Sequence, residues 1–395
     1  MDRPLASPRP TARRPRPARG AALLVVIVAV AVVSAIAVDL AYSTRVSLLT
    51  AANARDELRA EYLARSGVQL SRLVLNFQKK LDAVTAAGAK AGIPRVQIWQ
   101  LVPIADDFTD ALFGAAREGT GPAGKFEAKL EDEGRKVIAQ MDGIGAQGSA
   151  QIAALLQLVG DPKWDPLFDR EDANGLRVTR PDVAVYLHDW TDEDSVGSAI
   201  SMAGTFEPGF GDENAPYRRG DDPYQAKNAR FDSLDELYLL AGIDDDFMAA
   251  FGRQLTVYPD VNGRRNVNTL DPDELLLNAR IMADPPQQAK LADPAFPSDL
   301  ARAVSRLTLG GILTMSPFQF AQIVQSLGIL VNGVYQSEAS AANGAFVDSS
   351  LVYRIRATGG AGATERRVDA VVTFDPRQVK QEPADAGRLL HWREE

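Results

Sequence analysis

Eighteen consecutive residues, 21–38 (AALLVVIVAVAVVSAIAV), carry Ser34 as their only polar side chain. As a helix rising 1.5 Å per residue, the run spans about 27 Å, close to the hydrocarbon thickness of a bilayer. No later segment matches it, so a membrane segment accounts for it better than a buried core helix does. Residues 1–20 hold six arginines against one acid, Asp2, and Asp39 follows the run. The positive-inside rule keeps the N-terminus in the cytoplasm and sends residues 40–395 across.

The helical pattern does not stop where the apolar run does. No Pro or Gly occurs from Ala21 to Ser66, and Leu63, Leu70, Leu73, Val74, Phe77, Leu81 and Val84 recur at three- and four-residue spacing. This is the mark of one amphipathic face. One helix is expected from about Ala21 to about Val84, roughly 95 Å long. Three readings of the leader compete. Ala35-Ile36-Ala37 fits signal-peptide cleavage, and Arg13-Arg14 is a bare twin-arginine pair. The third is a basic leader closed by Gly20 and cut before Ala21, so that the apolar run is retained. Helix continuity favours the third, because a cut after Ala37 would fall inside the helix.

Composition excludes several functions. The formal charge is −9, and loss of residues 1–20 lowers it by five to −14. An acidic body of this kind is unsuited to nucleic acid, which needs basic stripes, and to anionic lipid. There are no cysteines, so disulfides and thiolate chemistry are absent. His188 and His391 are the only histidines and form no HExxH motif. No GxSxG-type elbow accompanies His188-Asp189, so a catalytic triad has no support.

After the helix, residues 125–140 (KFEAKLEDEGRKVIAQ) read as a β-hairpin turning at EDEG. Residues 141–150 are Gly-rich and mark a boundary. Residues 151–335 read as mostly helical, interrupted by an acidic, glycine-containing stretch from Thr191 to Pro223 expected to be irregular. Ser233 and Glu236 have capping-box spacing for a helix over 231–243 that ends at Gly242. Asp271, Pro272 and Glu274 start another in the same style. Asp235–Leu237 and Asp273–Leu275 repeat the tripeptide DEL, which suggests two related helical hairpins. Asp244-Asp245-Asp246 beside Gly242 excludes a phosphate-reading role for them. After a Pro-rich break at Asp284–Pro297, helices are expected over 298–309 and 317–327. Strands are expected over 346–357, 366–374 and 389–392, with a turn at Gly359–Gly362. The strands flanking the helical block are expected to share one antiparallel sheet packed on the N-terminal helix. The fold class is α+β.

Several ordered segments carry a resemblance to a known family. They are RGAALLVVIVAVAVVSAIAV, FEAKLEDEGRKVIAQ, VYLHDWTDEDS, PYQAKNARFDSLDELYLLAGI and VYPDVNGRRNVNTLDPDELL. Together with the long N-terminal helix of pilins and pseudopilins, they resemble the minor pseudopilin K family of the type II secretion system. The chain departs from it in GRKVIAQ, where the family has an Asn-rich segment, and in lacking a glycine near Ile281. The resemblance implies a pilin-like fold: a leader 1–20, an N-terminal helix 21–85 (21–42 transmembrane), a pilin-like α+β domain from 86–141 and 336–395, and an inserted helical domain 142–335. It implies prepilin-peptidase cleavage between Gly20 and Ala21 with methylation, and an inner-membrane protein with a periplasmic body. It further implies a non-enzymatic place at the tip of a periplasmic pseudopilus. The partners it implies are minor pseudopilins of the I and J types, the major pseudopilin and the inner-membrane secretion platform. At mature position five stands Val25, where most pilins carry a glutamate; a tip subunit, with no subunit above it, has no amine to pair with one. The alternative is a membrane-tethered calcium- or ligand-binding module outside any filament.

The acidic stretch holds the best site candidates: Asp189, Asp192, Asp194, Asp212, Glu213, Asp221 and Asp222. Calcium takes six to eight oxygens from a flexible polar loop, and this segment offers them. A calcium-binding helical domain is also what the resemblance implies; a solvated acidic loop is the other reading. The alternation Asp260, Asn262, Asn266, Asn268 is EF-hand-like, but Arg264 and Arg265 oppose a cation. Those asparagines are read as turn and backbone-bonding residues.

Overall fold

The computed structural model describes residues 19–89, 95–102, 104–105, 124–143, 146–172, 175–219, 222–258, 263–286, 288–377 and 386–395. Contacts divide the chain into two units, up to Leu58 and from Arg59 to Glu395. Helix α1, Arg19–Ala89, runs through the division without a break. In the first unit every residue from 21 to 50 is exposed. This is the stretch long and apolar enough to cross a membrane.

In the second unit the buried residues of α1 include Ala60, Leu63, Ala64, Gly67, Val68, Ser71 and Leu75. The amphipathic face read from sequence is corrected here, because Leu73, Phe77 and Val84 are exposed. Small residues, Ala60, Ala64 and Gly67, share the sheet-facing side with Leu63, Val68 and Leu75 and let the helix come close.

The strands, in chain order, are β1 (Ile104–Ala105), β2 (Lys125–Asp132), β3 (Val137–Ile138), β4 (Val196–Ile200), β5 (Phe206–Asp212) and β6 (Leu255–Thr256). Then come β7 (Arg265–Asn266), β8 (Phe346–Val347), β9 (Val352–Ala361), β10 (Thr364–Thr373) and β11 (Arg388–Glu394). Five of them form an antiparallel sheet in the order β1-β2-β9-β10-β11. Strands from before and after the helical block therefore share one sheet, and α1 packs on it. The α+β architecture read from sequence, with a long N-terminal helix packed on an antiparallel sheet, is what the chain adopts.

Alternation along β9 sets the packing face. Tyr353, Ile355 and Ala357 are buried with Leu63, Ala64 and Val68, while Arg354 and Arg356 point the other way. At Gly359 a Cβ would lie 2.1 Å from Ala60 O and 2.4 Å from Ala64 N. The helix backbone thus occupies the space a side chain would need. Two arginines of α1 hold the last strand from the side. Arg72 donates to Ala386 O at 2.8 Å and Gly387 O at 2.9 Å, and Arg65 Nε meets Glu394 at 2.9 Å.

Two expectations about the strands are overturned. The segment 125–140 is not a hairpin: β3 turns away from β2 and pairs in parallel with β6, Val137 opposite Leu255. Glu133, fully buried in the intervening turn, explains the change of course. It accepts from Lys136 at 2.8 Å and Arg354 at 2.6 Å. Burial opposes the charge on Glu133, but the two cations outweigh it and hold the carboxyl below its usual range. The C-terminal turn also falls later than expected, since Gly359 and Gly360 lie within β9 and pair with Arg366 and Glu365.

The rest of the second unit is largely helical: α2 (Ala146–Val159), α3 (Asp165–Phe168), α4 (Arg180–Asp189), α5 (Asp245–Phe251), α6 (Pro272–Met282), α7 (Phe296–Leu307), α8 (Pro317–Ser326) and α9 (Glu338–Ala341). One core gathers Leu155, Leu187, Trp190, Phe251 and Leu255; another gathers Leu275, Phe296, Leu300 and Phe320. Side-chain caps start the helices as expected at Asp271, which accepts from Asp273 N and Glu274 N. Ser233 is the exception. Its side chain makes no cap bond, and Leu234–Leu239 is a 3-10 helix, with Glu236 accepting instead from Asp232 N at 2.9 Å. The two DEL segments therefore do not form matching hairpins.

The close approach at Gly359 is testable by thermal or urea unfolding of the detergent-solubilised chain. Gly359→Ala is expected to cost about 1–3 kcal/mol through overpacking. Gly360→Ala, where the nearest atoms lie at 4.0 Å, is expected to change stability by less than about 0.5 kcal/mol.

Candidate metal centre

The site is built where α4 ends. Thr179 and Asp182 form a capping box at its start, and Asp189 is its last residue. Trp190 follows and anchors the turn, with Tyr217 and Phe231 at centroid distances of 5.5 and 6.5 Å. Below this aromatic wedge the chain passes Asp192 and Asp194, forms β4 and β5, and returns at Glu213. The expectation of irregular structure from Thr191 to Pro223 is corrected: its centre is a two-stranded hairpin, Ile200 opposite Phe206.

Asp192, Asp194 and Glu213 each place a carboxylate oxygen within 4.8 Å of the others. Asp194 is exposed, Asp192 is half-buried, and Glu213 is only 3% exposed. Oδ1 of Asp192 and Oε2 of Glu213 are buried without a hydrogen-bond partner, as is Oδ1 of Asn228. Burial, together with the Asp192 charge, pushes Glu213 up to about 7. Burial likewise pushes Asp192 up to about 6, against the lowering influence of His188. His188 is fixed by Nδ1 donating to Met141 O at 2.7 Å and by stacking on Phe206 at 3.9 Å.

Three crowded carboxylates, two of them with an unpartnered buried oxygen, fit a hard cation. Such an ion takes oxygen ligands and neutralises the mutual repulsion. Asp192, Asp194 and Glu213 would hold it, and the amide oxygen of Asn228 is available beside them. Asn228 was not legible as a candidate. It lies far along the chain from the trio, yet its Nδ2 donates to Asp194 O at 2.6 Å and its φ is 50°. A non-glycine residue at positive φ beside a polar cluster is a mark of a constrained site.

The other candidates lie outside the trio. Asp189 is buried and accepts from Ser198 N at 3.0 Å, and burial raises its pKa. Asp212 accepts from Asn214 N at 3.0 Å and pairs with Arg218, which hold it below its usual range. Asp222 is exposed, and Asp221 lies outside the described residues. Asp260 and Asn262 also lie outside them. Asn268, by contrast, is buried and bridges Met315 N at 2.7 Å and Asp348 O at 3.0 Å. Gly20 and Ala21 fall within the first turns of α1.

The raised pKa values give a signed prediction. The metal-free fold binds protons at Glu213 and Asp192 more tightly than the unfolded chain does, so it is stabilised at low pH. That stability is lost as pH rises from about 4 to about 7. Glu213→Gln is expected to raise the melting temperature of the metal-free protein at pH 8 and to leave it nearly unchanged at pH 5, as followed by circular dichroism.

Comparison with known proteins bears on this same region. No curated relative aligns with the chain. Among solved structures it is similar to the GspK-GspI-GspJ complex from the enterotoxigenic Escherichia coli type 2 secretion system. The identity is 15% and the TM-score 0.40, over 69% of this chain and 80% of that one, a likeness too loose to place any residue here. Residues 146–260, which include α4, the hairpin and the acidic trio, match a family model described as type II secretion system, protein K. The resemblance seen in the sequence is thus met over 146–260, where the chain is similar to protein K of the type II secretion system.

Proposed function

We propose that this chain is a minor pseudopilin of a type II secretion system: a non-enzymatic assembly protein at the tip of the pseudopilus. In this reading prepilin peptidase cuts between Gly20 and Ala21, residues 21–42 stay in the inner membrane, and the body lies in the periplasm. Its partners are minor pseudopilins of the I and J types, then the major pseudopilin and the secretion platform. The inserted block, residues 142–335, is too bulky for another subunit to stack above it, and Val25 needs no neighbour's amine.

The observation that carries the proposal is α1. Its apolar run is exposed throughout, and the half that packs on the sheet still exposes Tyr62, Leu73, Phe77 and Val84. Apolar side chains repeated along one helix face need a partner surface, and another helix of the same kind supplies one. The match to protein K over 146–260 supports the same reading. The acidic trio adds a calcium-binding site within the matched region, held by Asp192, Asp194 and Glu213.

Affinity purification of the tagged full chain from membranes tests the proposal. Two other pilin-like proteins are expected to come with it. Phe77→Glu, on an exposed position, is expected to lower their recovery about tenfold, roughly 1.4 kcal/mol, without lowering the melting temperature. Recovery of the chain alone, with calcium still bound, would favour a tethered calcium-binding module outside any filament.

A further inference from the structure

We propose that cation binding at Asp192, Asp194 and Glu213 orders the β4–β5 hairpin, so that the hairpin is a cation-gated element of the fold. This inference rests on reading the trio as a metal centre and adds a consequence of its position. Asp192 and Asp194 lie immediately before β4, and Glu213 immediately after β5. Both ends of the hairpin therefore meet at the three carboxylates. Without a cation, their repulsion acts to spread the base of the hairpin; with one, the two ends are joined through a common ion.

Apart from the carboxylates, few contacts hold the hairpin. Only Ile200 and Phe206 pack against the neighbouring core. Met202 and Phe210 are fully exposed, and Val196 is 47% exposed. The register slips between Val196 and Ser198, and Gly209 packs its backbone on Gly197 O with no side chain between. An isolated two-stranded hairpin is marginal in water at best. Its other ties are His188 stacked on Phe206 at 3.9 Å, Asp212 paired with Arg218, Ser198 N donating to Asp189 at 3.0 Å and, within the trio, Val196 N donating to Asp194 at 2.7 Å. Fixing Asp194 through a shared ion therefore fixes the start of the first strand. Asn228, bonded to Asp194 O at 2.6 Å, joins a third chain segment to the same point.

Mass action makes the proposal quantitative. If opening the hairpin releases the ion, amide protection in 196–212 rises as one plus the ratio of free calcium to Kd, about a hundredfold at 100 times Kd. Hydrogen exchange of the full chain in detergent, in EDTA and across a calcium titration, measures this, with calorimetry reporting binding in parallel. Protection is expected to rise with calcium in 196–212 and to stay constant in β9 and β10. Glu213→Gln is expected to lose both the heat and the protection. Phe210→Trp, on a side chain that packs on nothing, gives a second readout through calcium-dependent fluorescence anisotropy. Calcium binding by calorimetry with no change in hairpin exchange would overturn the gating and leave the metal centre standing. Absence of both heat and protection would overturn the metal centre and the gating together.

Discussion

The contact between the backbone of α1 and Gly359 of β9 is the constraint on which the second unit depends. It exists because Ala60, Ala64 and Gly67 on the helix meet Ala357 and Gly359 on the sheet, so that nothing larger than a methyl group stands between them. Leu63, Val68 and Leu75 fill in around that contact, while Leu73, Phe77 and Val84 are exposed. The one helix therefore carries both a tightly seated inner face and exposed apolar side chains.

Charge is arranged in two contrasting ways in the second unit. At the turn after β2, buried Glu133 has two cations, Lys136 and Arg354, on its Oε1, and the result is a fixed change of chain direction. At the end of α4 the compensation falls short, with His188 Nε2 3.7 Å from Asp192. Asp192, Asp194 and Glu213 crowd together, with a buried oxygen of Asp192 and one of Glu213 unpartnered, and those two carboxyls hold their protons more tightly than ordinary carboxylates. The first arrangement stabilises by itself. The second is the kind of arrangement that a cation, with its preference for oxygen ligands, would complete.

Much of this was legible in the sequence, for physical reasons that differ by element. α1 was readable because eighteen apolar residues and an unbroken helical pattern leave few alternatives. The C-terminal strands were readable from their β-branched alternation, although the turn was misplaced because Gly359 serves close packing rather than reversal. The segment 125–140 misled because β3 finds its partner at β6, far along the chain, and local pattern carries no sign of that pairing. The β4–β5 hairpin was missed because its glycines, Pro208 and acids resemble a loop, with only Ile200 and Phe206 turned inward. At the site, Asp212 and Glu213 are adjacent and chemically alike in sequence. Only the fold separates them, giving Asp212 to Arg218 and Glu213 to the trio, while Asn228 carries no charge to set it apart from its neighbours.

The central claim is that α1 survives maturation whole, as the helix through which the protein is anchored and assembled. Intact-mass measurement of the chain purified from membranes tests this most directly. The account predicts a mature chain that begins at Ala21 and keeps the entire apolar run. A mass corresponding to cleavage after Ala37, and thus to a chain released from the membrane, would contradict it.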